Sequence, residues 1–162
     1  MNKNIVFIVL IFFSFSMVLD LTGKDIPTVN FNRVENIINK QNDTTYLVNF
    51  WATWCIPCRT EIPYIEQINE KYTKEKFRVV LISLDFPSKK EALLIPYVNE
   101  NIRSEVWLLD ERDPNSWIDK VDKSWTGAIP ATIIFNRNIK LFYEKSFDFE
   151  ELDSIINNCI IH

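Results

Sequence analysis

The feature that most limits how this chain can fold is Cys55-Ile56-Pro57-Cys58. It lies between the apolar run Tyr46–Ala52 and a helix-like stretch that reaches toward Tyr72. A strand that turns into a helix beginning with two cysteines sets both sulfurs at the helix start, where unpaired N–H groups and aligned peptide dipoles favour negative charge. Cys55 is therefore expected to have a depressed pKa and to attack a disulfide, with Cys58 resolving the mixed disulfide that results. Pro57 suits a first helical turn, where its missing N–H is not needed. Strand, cysteine pair and helix occurring together favour a redox couple over a static disulfide or half of a metal site.

The remaining composition excludes several alternatives. A chain of 162 residues with a hydrophobic share of 47% has room for one domain with a sizeable core, but not for a second full domain. A net charge of −4, with Lys and Arg scattered among acids, offers no basic field for nucleic acid. Two glycines are too few for a Gly-rich phosphate loop.

Residues 1–19 read as a targeting segment. Lys3 supplies a basic flank, and the run Ile5–Leu19 is interrupted only by Ser14 and Ser16. The run is short for a membrane span, so a signal peptide is expected, with an uncleaved N-terminal membrane anchor as the second reading. Either sends the domain out of the cytoplasm. Residues 20–28 read as a linker, and residues 29–162 as the domain.

Within the domain, Val29–Phe31 is expected as a short strand and Asn32-x-x-Glu35 as a capping box, with Phe31, Val34, Ile37 and Ile38 at helical spacing. Pro63 should kink the helix that follows the cysteines. Phe77–Leu84 has the continuous apolar character of a parallel strand covered on both faces. Ser88-x-x-Glu91 is expected to cap a helix that Pro96 bends or splits. A strand at Ser104–Leu109, a short helix at Pro114–Val121, and strands Thr132–Phe135 and Ile139–Tyr143 follow. Asp148-x-x-Glu151 starts the last helix, whose Phe149, Leu152, Ile155, Ile156 and Cys159 share one stripe. Alternating strands and helices closed by a hairpin and a helix argue for a three-layer α/β domain.

The stretch Asn49-Phe50-Trp51-Ala52-Thr53-Trp54-Cys55-Ile56-Pro57-Cys58, then Glu61, Pro63 and Gly127-x-x-Pro130, resembles thioredoxin-fold proteins of the extracytoplasmic TlpA/ResA branch. The resemblance covers roughly residues 26–160. It implies a thioredoxin-like α/β/α fold with a mixed central sheet, and an insertion of the TlpA/ResA type between about Ser88 and Leu109. Pro130 matches the family's cis-proline, which packs across from the cysteines and leaves the backbone of Ile129 free to pair with a substrate peptide. Trp54, Ile56 and Pro57, around Cys55, join Ile129 and Pro130 as expected substrate contacts.

Glu61, one helical turn beyond Cys58, matches a glutamate of related extracytoplasmic reductases. It is expected to tune the cysteines and to accept a proton from Cys58, against the plainer reading of a solvated carboxylate. Asn49 stands where cytoplasmic thioredoxins place a buried acid. Asp85 reads as a loop acid.

The activity so implied is thiol–disulfide exchange in the periplasm or cell envelope. Protein disulfides are the substrates, apocytochrome c among the candidates, and a membrane electron donor restores the reduced pair. A non-catalytic binding module and an oxidase or isomerase of the same fold are the alternatives. No cofactor is expected beyond the Cys55–Cys58 pair, and no metal. Cys55, Cys58, Cys159 and His162 form a formal zinc ligand set, but Cys159 lies on an apolar helix stripe, where a buried free cysteine is ordinary.

Overall fold

A computed structural model describes residues 24–160. The expected targeting segment and His162 lie outside these residues. Among the described residues, no helix is long and apolar enough to cross a membrane.

Six strands form one mixed sheet in the order β1-β4-β3-β2-β5-β6. They are β1 (Thr28–Val29), β2 (Thr45–Trp51), β3 (Phe77–Ser83), β4 (Glu105–Leu109), β5 (Ala131–Phe135) and β6 (Lys140–Tyr143). The first four run parallel, while β5 pairs antiparallel with β2, and β6 with β5. The parallel strands are joined by helical crossovers, as parallel pairing requires, and the β5–β6 hairpin closes through Asn136.

Alternation along β2 divides the core in two. Leu47 and Trp51 pack with Ile62, Ile65 and Ile68 of α2 (Ile56–Lys71), Val98 of α3 (Ile95–Asn101), and Leu152 and Ile156 of α5 (Phe149–Cys159). Val48 and Phe50 point the other way, against α1 (Phe31–Ile38), Val121 of α4 (Ile118–Val121) and the indoles of Trp117 and Trp125. Each fully buried Ile or Leu on these faces contributes roughly 1.5–3 kcal/mol by leaving water. The result is the expected three-layer α/β/α arrangement.

Local departures from the sequence reading have local causes. The strand begins at Thr28 and ends at Val29, because Asn30 turns out to cap α1 by accepting from the Arg33 N–H; Asn32 is inside the helix. The residues read as the end of a linker are held on the domain: Ile26 is buried in the core, and the Lys24 ammonium donates to the carbonyls of Arg103 and Ser104. Ser88 does not cap the insertion helix. A 3₁₀ turn at Pro87–Lys89 and a π turn at Lys90–Leu94 precede α3. Pro96 has no N–H to give, and the π turn brings it into the first turn of α3, where none is needed. At Pro63 the outcome is milder, since α2 runs through it as one helix. Asp148 caps α5 by accepting from Glu151 N, as the sequence indicates.

Candidate active site

β2 ends at Trp51, and Cys55 N donates to Ala52 O in the turn that follows. Cys55 is the N-cap of α2, its sulfur accepting from the backbone N–H of Cys58 at 3.3 Å. Pro57 sits in the first turn. The two cysteines form a disulfide, with Cα atoms 5.3 Å apart. Cys58 is fully buried and Cys55 is 5% exposed, so an attacking group reaches only the first sulfur. Once the bond is reduced, the same N–H that now touches Cys55 Sγ is a donor to its thiolate.

Antiparallel pairing carries the second half of the site to the cysteines. Phe50 of β2 is in register with Ala131 of β5, so the segment before β5 lies beside the turn that follows β2. Gly127 adopts φ +93°, which only glycine takes without strain, and the Ile129–Pro130 bond is cis. The carbonyl oxygen of Ile129 lies 3.7 Å from Cys55 Sγ. Pro130 is buried and Ile129 half-buried. The sequence reading missed what fixes this loop: the Glu144 carboxylate on the next hairpin accepts from Thr126 N, Thr126 Oγ1 and Ala128 N. The Thr126 hydroxyl leads in holding the Glu144 pKa below its ordinary value. Trp125 Nε1 adds a bond to Ala128 O.

Glu61 is not solvated. It lies on the buried stripe of α2 with Cys58, Ile62, Ile65 and Ile68, and is 1% exposed. Its Oε1 accepts from Asn49 Nδ2 at 2.8 Å, and its Oε2 from Phe147 N at 3.0 Å. Burial pushes its pKa up to about 7, and the Phe147 N–H and the Asn49 amide restrain the rise. Asn49 Nδ2 also donates to Thr132 Oγ1 at 2.9 Å, and these two residues are register partners across β2 and β5. In the sequence Asn49 and Thr132 each stand among apolar neighbours, but that they face one another is set by the pairing of β2 with β5.

Asp85 lies in the loop after β3, as expected, but it is buried there. It is 2% exposed, and its carboxylate accepts from Thr53 N at 3.0 Å, Thr53 Oγ1 at 2.6 Å and Ser83 Oγ at 2.8 Å. It fastens the turn before Cys55 to the end of β3. Outside this buried framework, Trp54 and Ile56 are 61% and 74% exposed, and Pro57 is exposed beside them. Phe86, next to Asp85, is 69% exposed at the mouth of a cleft of about 390 Å³ that also takes in Leu109, Trp117 and Gly127. Cys159 is buried on α5 and unpaired, with burial raising its thiol pKa.

The AhpC/TSA family matches residues 17–143. Thiol-disulfide oxidoreductase ResA of Oceanobacillus iheyensis is 44% identical over 39 residues, which is 24% of this chain and 20% of that protein. The thioredoxin-like protein YneN of Bacillus subtilis is 33% identical over 70 residues, 43% of this chain and 41% of the relative. The chain therefore aligns with less than half the length of each of these curated relatives. Among solved structures, a thiol:disulfide interchange protein of the thioredoxin family from Chlorobium tepidum superimposes with a TM-score of 0.61. It is 23% identical and is covered over 74% of this chain and 82% of its own, a likeness of fold. The thioredoxin-like fold and the ResA-type relationship expected from the residues around Cys55 are both borne out, and the chain belongs to the AhpC/TSA family.

Proposed function

We propose that the chain is a thiol–disulfide oxidoreductase that reduces protein disulfides outside the cytoplasm. The observation that carries this reading is the Cys55–Cys58 disulfide capping α2, with only Cys55 open to solvent and a buried carboxyl one turn behind Cys58. In the reduced state, the Cys55 thiolate attacks one sulfur of a substrate disulfide, and the other substrate sulfur leaves as a thiolate that takes a proton from water. Cys58 then gives its thiol proton to the Glu61 carboxylate and attacks Cys55 Sγ. The second substrate sulfur leaves, and the Cys55–Cys58 disulfide forms; two electrons have passed to the substrate.

Trp54, Ile56 and Pro57 form the apolar surface around the reactive sulfur. The backbone of Ile129, beside Pro130, receives the substrate peptide as an added strand. The leader expected at residues 1–19 exports the domain to the periplasm or cell envelope. A membrane thiol donor then returns the electrons, because a reductant in an oxidising compartment is spent after one turnover. Apocytochrome c, whose paired cysteines must be reduced before haem attachment, fits as a substrate of this class.

Reduction of insulin disulfides by the wild type and by Cys55→Ser and Cys58→Ser tests the reading. Loss of turnover in both variants with the fold retained is expected. Full activity in either variant contradicts exchange through the Cys55–Cys58 pair, and none in the wild type contradicts an enzyme and favours a binding module. The reduction potential against glutathione tests direction: a value nearer the roughly −270 mV of thioredoxin than the roughly −120 mV of DsbA is expected. A value at the oxidising end assigns the chain to disulfide formation or isomerisation.

A further inference from the structure

Three side chains meet beneath the cysteines, and one of them is incompletely hydrogen-bonded. Asn49 spends both N–H groups of Nδ2, on Glu61 Oε1 and Thr132 Oγ1. Its Oδ1 is buried and has no partner among the described residues. Leaving a buried acceptor unpaired is costly, so the preference for this orientation has to come from what Nδ2 gains. An ionised carboxylate only accepts, and Nδ2 supplies what it needs. A protonated carboxyl instead has an O–H to donate, and the group facing Glu61 Oε1 is then another donor. The second oxygen, Oε2, is already held by Phe147 N–H.

We infer that Asn49 turns its carboxamide over when Glu61 takes up a proton, so that Oδ1 accepts from both the Glu61 and Thr132 hydroxyls. The half-turn is about the Cβ–Cγ bond and needs no movement of β2. Thr132 suits both states, because its hydroxyl accepts in one and donates in the other. Neither orientation satisfies the whole amide, so the proton on Glu61 decides between them. The inference rests on the reading of Glu61 as proton acceptor for Cys58. The thiol proton leaves Cys58 and forms the Glu61 O–H bond, and the amide turns without making or breaking a covalent bond. Asn49 is thus a positioning residue that holds the acceptor in one place through both charge states.

Among the described residues, nothing else that faces Glu61 supplies a competing charge. Cys58 precedes it on α2, Asn49 and Thr132 face it from β2 and β5, and Phe147 N–H comes from the approach to α5. Tyr143 packs edge-on against Phe147. The charged groups near that approach are engaged elsewhere: Lys145 with Glu151, and Asp153 with Lys71 and Tyr72.

The test uses the labelled, oxidised wild-type protein, in which the disulfide keeps Cys58 from titrating. Glu61 Cδ and the Asn49 side-chain amide are followed by NMR from acid to alkaline pH. The nuclear Overhauser contact between Asn49 Hδ2 and Thr132 should be present above the Glu61 midpoint, and lost below it with the same midpoint. In Glu61→Gln, which keeps a neutral donor in place of the protonated acid, the contact should be absent at every pH. A contact that persists while Glu61 titrates, a contact that survives in Glu61→Gln, or the absence of a Glu61 titration overturns the inference. Insulin reduction is read separately, so a failed reductase reading is not mistaken for a fixed amide.

Discussion

Two carboxylates flank the redox turn, both almost wholly buried, and they are held in different ways. Asp85 takes three donors through its two oxygens, two of them from Thr53 alone, and so ties the turn before Cys55 to the end of β3. Glu61 takes two N–H groups, from Asn49 and Phe147, and lies on the helix that starts at the cysteines. The first arrangement fixes a loop. The second leaves a carboxyl whose pKa, near 7, allows both charge states at neutral pH. Equal burial therefore does not imply equal roles: what matters is where the donors come from and how far they offset the loss of water.

Removing each acid in turn sharpens the contrast. Asp85→Ala orphans Thr53 N–H and two hydroxyls in a buried site, and should cost about 3 kcal/mol of stability by denaturant unfolding. Glu61→Gln should instead slow release of the mixed disulfide about 100-fold in stopped-flow measurements, the share a positioned proton acceptor commonly supplies. Equal slowing by Asp85→Asn and Glu61→Gln would erase the distinction between the two residues.

The third expectation concerns pH. Between pH 4.5 and about 7 the folded chain keeps a proton on Glu61 that the unfolded chain has released, so the folded pKa lies above the unfolded one. Its contribution is then complete below the lower value and is lost as pH rises through the higher one, a change of up to about 3 kcal/mol. Unfolding of the oxidised protein at about pH 5 and about pH 8 should show a loss of about 2 kcal/mol that is absent in Glu61→Gln. A slope shared by both proteins would place the linkage elsewhere. The smallest effect is expected for Asp85→Asn, which keeps one acceptor oxygen and should cost about 1 kcal/mol.

How much of this was legible in the sequence follows the distance over which each contact acts. Cys55, Pro57, the capping Asp148 and the Gly127-x-x-Pro130 stretch are local patterns, and the structure places them as read. Burial of Glu61 was half legible: it falls three residues after Cys58 and four before Ile65, on the stripe those residues define, yet helices expose glutamate far more often than they bury it. Asn49 with Thr132, Asp85 with Thr53, and Glu144 with the loop before Pro130 join residues from 16 to 83 positions apart. Only the strand order brings them together, and no periodicity carries it. The misplaced cap at Asn32 has a different cause, since Asn30 and Asn32 are equally good capping residues and the end of β1 chooses between them.

The central claim is that Cys55 exchanges disulfides and Cys58 resolves them. Mixing reduced Cys58→Ser with insulin in a single turnover, then quenching with acid and measuring the mass, tests it most directly. A stalled one-to-one mixed disulfide through Cys55 is expected, absent in Cys55→Ser and passing to released insulin thiols in the wild type. A folded Cys58→Ser protein with a reactive Cys55 thiol that forms no such adduct would contradict it.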